Sequence, residues 1–125
     1  GAIGLAEAAE FLMGLGLDHV ASLEAELLAY ATEQMSAIEG LRIIGTAPDK
    51  AGILSFVIEG VHAQDLGTLL DQQGVAIRTG HHCAQPAMAA FGLTATARAS
   101  FGLYNTSDDI DRLVQATRRA VGMLL

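Results

Sequence analysis

The sequence predicts an α+β fold, in which helices pack against a mainly antiparallel sheet of three or four strands. Three observations favour this class. Apolar residues recur at helical spacing in several segments, short runs of β-branched residues separate those segments, and a stretch rich in turn residues joins the first two runs. A chain of 125 residues buries about two-thirds of its surface on folding. We therefore expect one domain over residues 1–125, with a single core.

Two helices are predicted in the first third of the chain. Apolar residues from Ile3 to Met13 have helical spacing, but no Ser, Thr, Asp or Asn precedes them as a cap. We therefore expect this segment to be the rear part of a helix that begins outside the chain. Asp18 is the expected cap of a second helix, which is expected to end near Gly40.

A hairpin is predicted next. The apolar runs Leu41–Ile44 and Ile53–Ile58 are typical of strands, and the Gly- and Pro-containing residues 45–52 between them are typical of a turn. Helical spacing returns from His62 to Gln72, and a further strand is predicted from Gly74 to Arg78.

The region that follows combines irregular and regular structure. An irregular segment from Thr79 to Pro86 precedes a short helix near Ala87 to Phe91 and a strand from Thr96 to Leu103. Successive side chains of a strand point to opposite faces. Arg98 is therefore expected to project from one face of that strand, and its alanine neighbours from the other.

A last helix is predicted from a capping box. Thr106 and Asp109 have the spacing in which each side chain can satisfy a backbone N–H at a helix start. Apolar residues at helical spacing follow them. Arg118 and Arg119 are expected near the C-terminus of this helix, where positive charge is favourable.

Composition excludes several classes of function. Seven Lys and Arg against fourteen Asp and Glu give a net charge of −7, which argues against binding to nucleic acid or to an anionic membrane surface. No apolar run is long enough to span a bilayer. With 51% hydrophobic and 17% charged residues, we expect apolar surface that another protein surface covers. A single cysteine excludes an internal disulfide and favours a reducing compartment such as the cytoplasm.

Chemistry is concentrated between Arg78 and Pro86, which contain the single thiol and two of the four histidines. A thiolate is the nucleophilic form of cysteine. Arg78 and a protonated His81 or His82 could therefore activate Cys83. The alternative is that Cys83 is a small buried packing residue. We expect no metal site, because the Cys and His spacings typical of zinc ligands are absent.

Arg98 is the second candidate. An arginine between two alanines on a strand must either extend to solvent or meet an anion, and its planar fork suits a carboxylate. The alternative is a structural ion pair with one of the fourteen acidic residues.

The segments Arg78-Thr-Gly-His-His-Cys-Ala-Gln-Pro86 and Arg98-Ala-Ser-Phe-Gly-Leu-Tyr-Asn105 resemble the C-terminal part of the group II cysteine desulfurases, the SufS and CsdA type. These are fold-type-I pyridoxal phosphate enzymes of aminotransferase class V, and selenocysteine lyases are among them. The resemblance implies that the chain is the small C-terminal domain of such an enzyme. Residues 1–14 would then end an interdomain helix, and the large cofactor-binding domain would precede them.

The resemblance also implies a role for each candidate residue. Cys83 corresponds to the nucleophile that takes sulfur as a persulfide, and Arg98 to the arginine that binds the substrate carboxylate. Arg78 corresponds to a second arginine at the substrate pocket. His81 and His82 are candidates for pocket residues or for activation of the thiolate.

For the whole enzyme, the resemblance implies conversion of L-cysteine to L-alanine by a homodimer that holds pyridoxal 5′-phosphate. The sulfur would pass to a SufE-like acceptor protein for iron–sulfur cluster assembly. Lys50, the single lysine, lies in the predicted hairpin turn, so we expect the isolated chain to bind no cofactor and to be inactive. The alternatives are a lyase acting on L-selenocysteine, which has the same residues, and a non-catalytic thiol relay or interaction domain.

Overall fold

The computed structural model describes residues 1–125 and contains five helices and four strands. The helices are α1 (Ala2–Leu15), α2 (Leu17–Ser36), α3 (Ala63–Asp71), α4 (Gln85–Ala90) and α5 (Ser107–Leu124). The strands are β1 (Leu41–Ile44), β2 (Ile53–Ile58), β3 (Arg78–Gly80) and β4 (Thr96–Ser100). The α+β class and the order of elements predicted from the sequence are confirmed.

The four strands form one sheet in the order β1-β2-β4-β3, and each neighbouring pair is antiparallel. The predicted hairpin is therefore confirmed as β1 and β2. The last strand in sequence, β4, lies between β2 and β3, so the loop that leaves β3 starts beside the residue at which β4 begins. Gly80, at the end of β3, is the register partner of Thr96.

One face of the sheet carries the core. Leu54 and Phe56 of β2 are fully buried and lie opposite Ala99 and Ala97 of β4. Burying one such large side chain contributes about 1.5–3 kcal/mol. The other members of the core cluster come mainly from α2, α3 and α5: Ala31, Met35, Ile38, Ile58, Leu66, Leu70, Ile110, Leu113, Val114, Ala116 and Ala120. We call the opposite side, from which Arg98 projects, the open face.

Helix α3 approaches β3 closely at a glycine. A Cβ atom on Gly67 would lie 2.7 Å from Cγ2 of Thr79, so a side chain there would clash with the Thr79 side chain. The Thr79 hydroxyl also donates a hydrogen bond to Oε1 of Gln64 at 2.9 Å. These contacts fix β3 against α3, and β3 in turn fixes where the cysteine-bearing loop begins.

The start of α2 differs from the prediction. Gly16, and not Asp18, is the N-cap residue, and its φ of 88° lets the chain turn between α1 and α2. The Gly16 carbonyl accepts a hydrogen bond from the N–H of Val20 at 3.1 Å, which begins the helical pattern. Asp18 lies in the first turn, where its negative charge still favours the helix.

The end of α2 also differs, because the helix stops at Ser36 and not near Gly40. Ile38 follows the helix in a turn and is only 6% exposed, so its side chain belongs to the core. The N–H of Leu41 donates to the Ile38 carbonyl at 3.2 Å. Burial of one apolar side chain thus ends the helix before the glycine.

The strand predicted from Gly74 to Arg78 is displaced, because β3 covers Arg78–Gly80. The N–H groups of Gly74 and Val75 donate to the carbonyls of Asp71 and Leu70, at 2.9 and 3.0 Å. These residues therefore continue the turn at the end of α3 and do not pair in the sheet.

Strand β4 ends at Ser100, three residues before the predicted Leu103. A turn interrupts it, since the N–H of Asn105 donates to the Gly102 carbonyl and the Asn105 side-chain oxygen accepts from the N–H of Gly102, both at 2.9 Å. The loop so formed leads directly into α5.

The predicted capping box at the start of α5 is confirmed. The Asp109 carboxylate accepts a hydrogen bond from the backbone N–H of Thr106 at 3.1 Å. The expectation for the other end is wrong, because the last turn contains no basic residue. The helix continues to Leu124, so Arg118 and Arg119 lie before its last turn.

Helix α1 has no buried residue. Its large apolar side chains are mostly exposed, including Ile3 at 83%, Leu5 at 72%, Phe11 at 63% and Met13 at 67%. Neither this helix nor any other has the length and apolar content needed to cross a membrane. The first helix therefore forms an apolar surface outside the core.

Candidate functional site

Cys83 lies on the loop between β3 and α4, and its side chain is exposed. This exposure contradicts the alternative in which Cys83 is a buried packing residue. Cys83 and His82 have φ values of 55° and 54°, and they are the two residues other than glycine with positive φ. That conformation costs about 1–2 kcal/mol per residue. The turn therefore needs specific contacts to hold it.

His81 provides two of these contacts. Its Nδ1 accepts a hydrogen bond from the backbone N–H of Cys83 at 3.1 Å. Its carbonyl accepts a hydrogen bond from the N–H of Ala84 at 2.8 Å. His81 itself is exposed, so it shapes the turn from the solvent side.

His82 provides the third contact, from the inner side of the turn. Its Nε2 lies 3.0 Å from Oγ1 of Thr96 in β4, and Thr96 is fully buried. Burial lowers the pKa of the half-buried His82, and the positive charge of Arg98 lowers it further. A hydrogen bond with the Thr96 backbone acts in the opposite direction. Because the ordinary pKa of histidine is already near 6.5, the His82 ring is neutral at neutral pH.

The two candidate arginines stand next to each other. Arg78 and Arg98 are directly opposite in the antiparallel pair β3 and β4, so both side chains project from the open face. Nε of Arg98 is buried without a hydrogen-bond partner, and no carboxylate forms an ion pair with the guanidinium. The structural ion pair considered for Arg98 is therefore not formed. Two adjacent like charges favour an anion between or above them.

The cysteine turn and the arginine pair share one end of the open face. Thr96 and Arg98 are two residues apart on β4, so their side chains project in the same direction. The His82 ring on Thr96 consequently lies beside Arg98, in agreement with the effect of Arg98 on the His82 pKa. Arg78 and Cys83 are exposed. The site is therefore an open surface, with an exposed thiol on the loop that leaves β3 and a pair of arginines on β3 and β4.

One residue of this site was not predicted from the sequence. Thr96 was placed on a strand but not in the site, although the alternation that directs Arg98 to the open face directs Thr96 there as well. The remaining histidines lie outside the site. His62 caps α3, where its Nδ1 accepts a hydrogen bond from the N–H of Gln64 at 3.3 Å, and His19 is exposed on α2.

Comparison with known proteins gives relatives that are probable cysteine desulfurases. The chain is 50% identical over 116 residues to a probable cysteine desulfurase of Xylella fastidiosa, an alignment that covers 93% of this chain and 28% of the relative. It is 50% identical over 119 residues to a probable cysteine desulfurase of Staphylococcus aureus, covering 94% of this chain and 29% of the relative. The chain thus spans less than a third of the length of these relatives.

Solved structures give the same result. The cysteine desulfurase CsdA from Escherichia coli superposes with a TM-score of 0.92 and 38% identity, over 100% of this chain and 31% of that one. A cysteine desulfurase from Thermococcus onnurineus superposes with a TM-score of 0.91 and 32% identity, over 99% of this chain and 31% of that one. The profile of the aminotransferase class-V family matches residues 1–113. This chain, similar in sequence and fold to cysteine desulfurases, belongs to the aminotransferase class-V family.

Proposed function

We propose that the chain is the part of a cysteine desulfurase that supplies the sulfur-accepting thiol and the arginines that bind the substrate carboxylate. One observation carries the proposal: an exposed Cys83, in a strained turn, lies on the loop that leaves β3, where Arg78 is paired with an Arg98 whose Nε has no partner. The similarity to probable cysteine desulfurases supports it. On this proposal the longer enzyme converts L-cysteine to L-alanine.

The thiol of Cys83 takes the sulfur atom. Its thiolate forms a sulfur–sulfur bond with the substrate sulfur while the carbon–sulfur bond of the substrate breaks, and a proton replaces sulfur on that carbon. L-cysteine and one thiol thus give L-alanine and one persulfide, with no external oxidant. A thiol of an acceptor protein then takes the terminal sulfur by exchange. We propose a SufE-like acceptor and iron–sulfur cluster assembly as the destination.

The arginine pair binds and orients the substrate. Arg98 is half-buried, so less water competes for its guanidinium, and a planar fork can grip both oxygens of a carboxylate. Arg78 is exposed at the sheet edge and adds a second positive charge beside it.

Pyridoxal phosphate is the cofactor implied for the longer enzyme, where it would supply the electron sink for substrate activation. The residues of this chain do not form its site. The single lysine, Lys50, lies between β1 and β2, and its Nζ donates to the Gly45 carbonyl at 3.0 Å. Strand β1 is at one edge of the sheet, and β3, which leads to Cys83, is at the other.

We therefore propose that a preceding domain of the longer protein binds the cofactor, and that residues 1–14 end a helix between the domains. The enzyme is proposed to act as a homodimer in the cytoplasm. An unpaired, exposed cysteine supports a reducing compartment. The 125-residue chain alone is proposed to be inactive.

The test uses the full-length protein loaded with pyridoxal phosphate and supplied with L-cysteine. We expect L-alanine and an added sulfur on Cys83, detected by mass spectrometry, and we expect Cys83→Ala to abolish both. The 125-residue chain with free cofactor is the control and is expected to release no alanine. Absence of alanine from the loaded full-length protein would favour a non-catalytic thiol relay. Much faster release of alanine from L-selenocysteine would favour a selenocysteine lyase.

A further inference from the structure

We propose that His82 is a positioning residue, which holds Cys83 in its exposed left-handed turn through the hydrogen bond to Thr96. This inference rests on the proposed function, in which Cys83 accepts sulfur. It assigns to His82 a role that differs from activation of the thiol, and it adds Thr96 to the residues on which sulfur transfer depends.

The anchor at Thr96 is rigid. Thr96 is fully buried, lies at the start of β4 and is the register partner of Gly80, at the end of β3. The chain leaves β3 at Gly80 and, two residues later, the His82 ring returns to Thr96 at 3.0 Å. Backbone pairing and a side-chain hydrogen bond thus tie both sides of this short segment to one residue.

The turn needs this anchor. His82 and Cys83 are both in the left-handed region, which residues with a side chain rarely adopt. The contacts of His81 are made by an exposed side chain and by a local backbone hydrogen bond. Among the side-chain hydrogen bonds of the turn, only that of His82 reaches the buried part of the sheet. Loss of that bond is expected to let Cys83 sample other conformations.

The groups around His82 do not favour its protonated form. Arg98 faces it from β4 and Arg78 from β3, and His81 is its neighbour on the loop. Burial lowers its pKa most, and these three charges lower it further, against a backbone hydrogen bond with Thr96 that raises it. The neutral His82 imidazole therefore acts through its hydrogen bond to Thr96 and not as a positive charge.

The experiment compares His82→Ala, Thr96→Val and the double variant in the full-length holoenzyme. We expect kcat for L-cysteine to fall by about 10- to 100-fold in each single variant, since a small displacement of a reacting group has effects of this size. KM is expected to stay within about twofold, because Arg98 and Arg78 are unchanged. The double variant is expected to be no slower than either single variant, because both remove the same bond.

Two further measurements separate positioning from activation. The pH midpoint for alkylation of Cys83 by iodoacetamide is expected to be the same in wild type and in all variants. Amide hydrogen exchange in the peptide around Cys83 is expected to accelerate equally in His82→Ala and Thr96→Val. Thr96→Ser, which keeps the hydroxyl, is expected to restore wild-type behaviour. His62→Ala, which removes a histidine from the start of α3, is the control.

Three results would overturn the inference. An alkylation midpoint that moves in His82→Ala but not in Thr96→Val would assign His82 to thiol ionisation. Wild-type turnover in Thr96→Val would show that the hydrogen bond carries no function. Unchanged hydrogen exchange in both variants would show that the bond does not hold the turn. A wild-type enzyme that makes no alanine would instead overturn the proposed function, and hydrogen exchange would still decide whether His82 holds the turn.

Discussion

Arg98 shows how a single side chain can indicate a missing ligand. A guanidinium carries five N–H donors and no acceptor, so burial of any one of them without a partner is unfavourable. Nε of Arg98 is in this position, although fourteen acidic residues are present in the chain. A carboxylate brought by the substrate would neutralise the positive charge at this point, which is why we give Arg98 the main role in substrate binding.

Replacing Arg98 by lysine tests this role. Lysine keeps the charge but cannot grip two carboxylate oxygens with a planar fork. Losing one hydrogen bond to a charged group costs about 1.5–3 kcal/mol, so kcat/KM for L-cysteine in the full-length enzyme is expected to fall by about 10- to 100-fold. The control is Arg42→Lys, on the edge strand β1. Equal effects of the two substitutions would contradict a specific role for Arg98.

The parts of the site that follow from residue type were predictable, and the parts that follow from register were not. Cys83, Arg78 and Arg98 carry distinctive chemistry that can be recognised in the sequence. The contact of His82 with Thr96 depends on the pairing of β3 with β4 and on two positive φ values. Neither the strand register nor the φ values can be predicted from a short sequence motif, so the role of His82 remained open in the sequence analysis.

At the scale of secondary structure, the capping box at the start of α5 is a local signal that the structure confirms. The Asp109 carboxylate accepts hydrogen bonds from the Asn105 side chain at 3.2 Å and from the Thr106 backbone at 3.1 Å. These bonds hold the pKa of Asp109 below its ordinary value of 3.8 against the opposing effect of burial, and the charge of Arg112 adds a weaker lowering.

Asp109→Asn is expected to weaken the dependence of stability on pH. A carboxylate whose pKa is lower in the folded state stabilises the fold above its ordinary pKa, and this contribution is lost as the pH falls through the lower folded value. We therefore expect urea denaturation of the 125-residue chain to show a smaller loss of stability in the variant than in wild type between neutral pH and pH about 3. Asp108→Asn, in the same helical turn, is the control. Equal pH dependence in the variant and wild type would contradict the assignment.

The ends of other elements were harder to predict because tertiary contacts set them. Burial of Ile38 ends α2 before Gly40, and pairing with β4 determines which residues form β3. In both cases a contact between segments distant in sequence outweighs the local glycine or β-branched signal. The type of each element was predictable from periodicity, whereas its boundaries depend on contacts with other parts of the fold.

At the scale of the whole molecule, the distribution of apolar side chains is uneven. The core joins the helix face of the sheet to α2, α3 and α5, and it leaves α1 entirely outside. An exposed apolar surface of this kind is typical of a contact with another protein surface. We propose that the rest of the longer enzyme covers α1, and that in the isolated chain the same surface promotes self-association.

The double variant Leu5→Glu, Phe11→Glu tests that proposal. It removes two large exposed side chains from α1 and touches no buried residue, so the fold is expected to persist while self-association decreases. Light scattering coupled to size-exclusion chromatography, over a range of protein concentrations, measures the change. Ala6→Glu with Ala9→Glu adds the same charge to the helix without removing a large apolar group. If this alanine control reduces self-association equally, charge repulsion and not loss of apolar contact explains the effect. A wild-type chain that stays monomeric at all concentrations would show that α1 does not promote self-association.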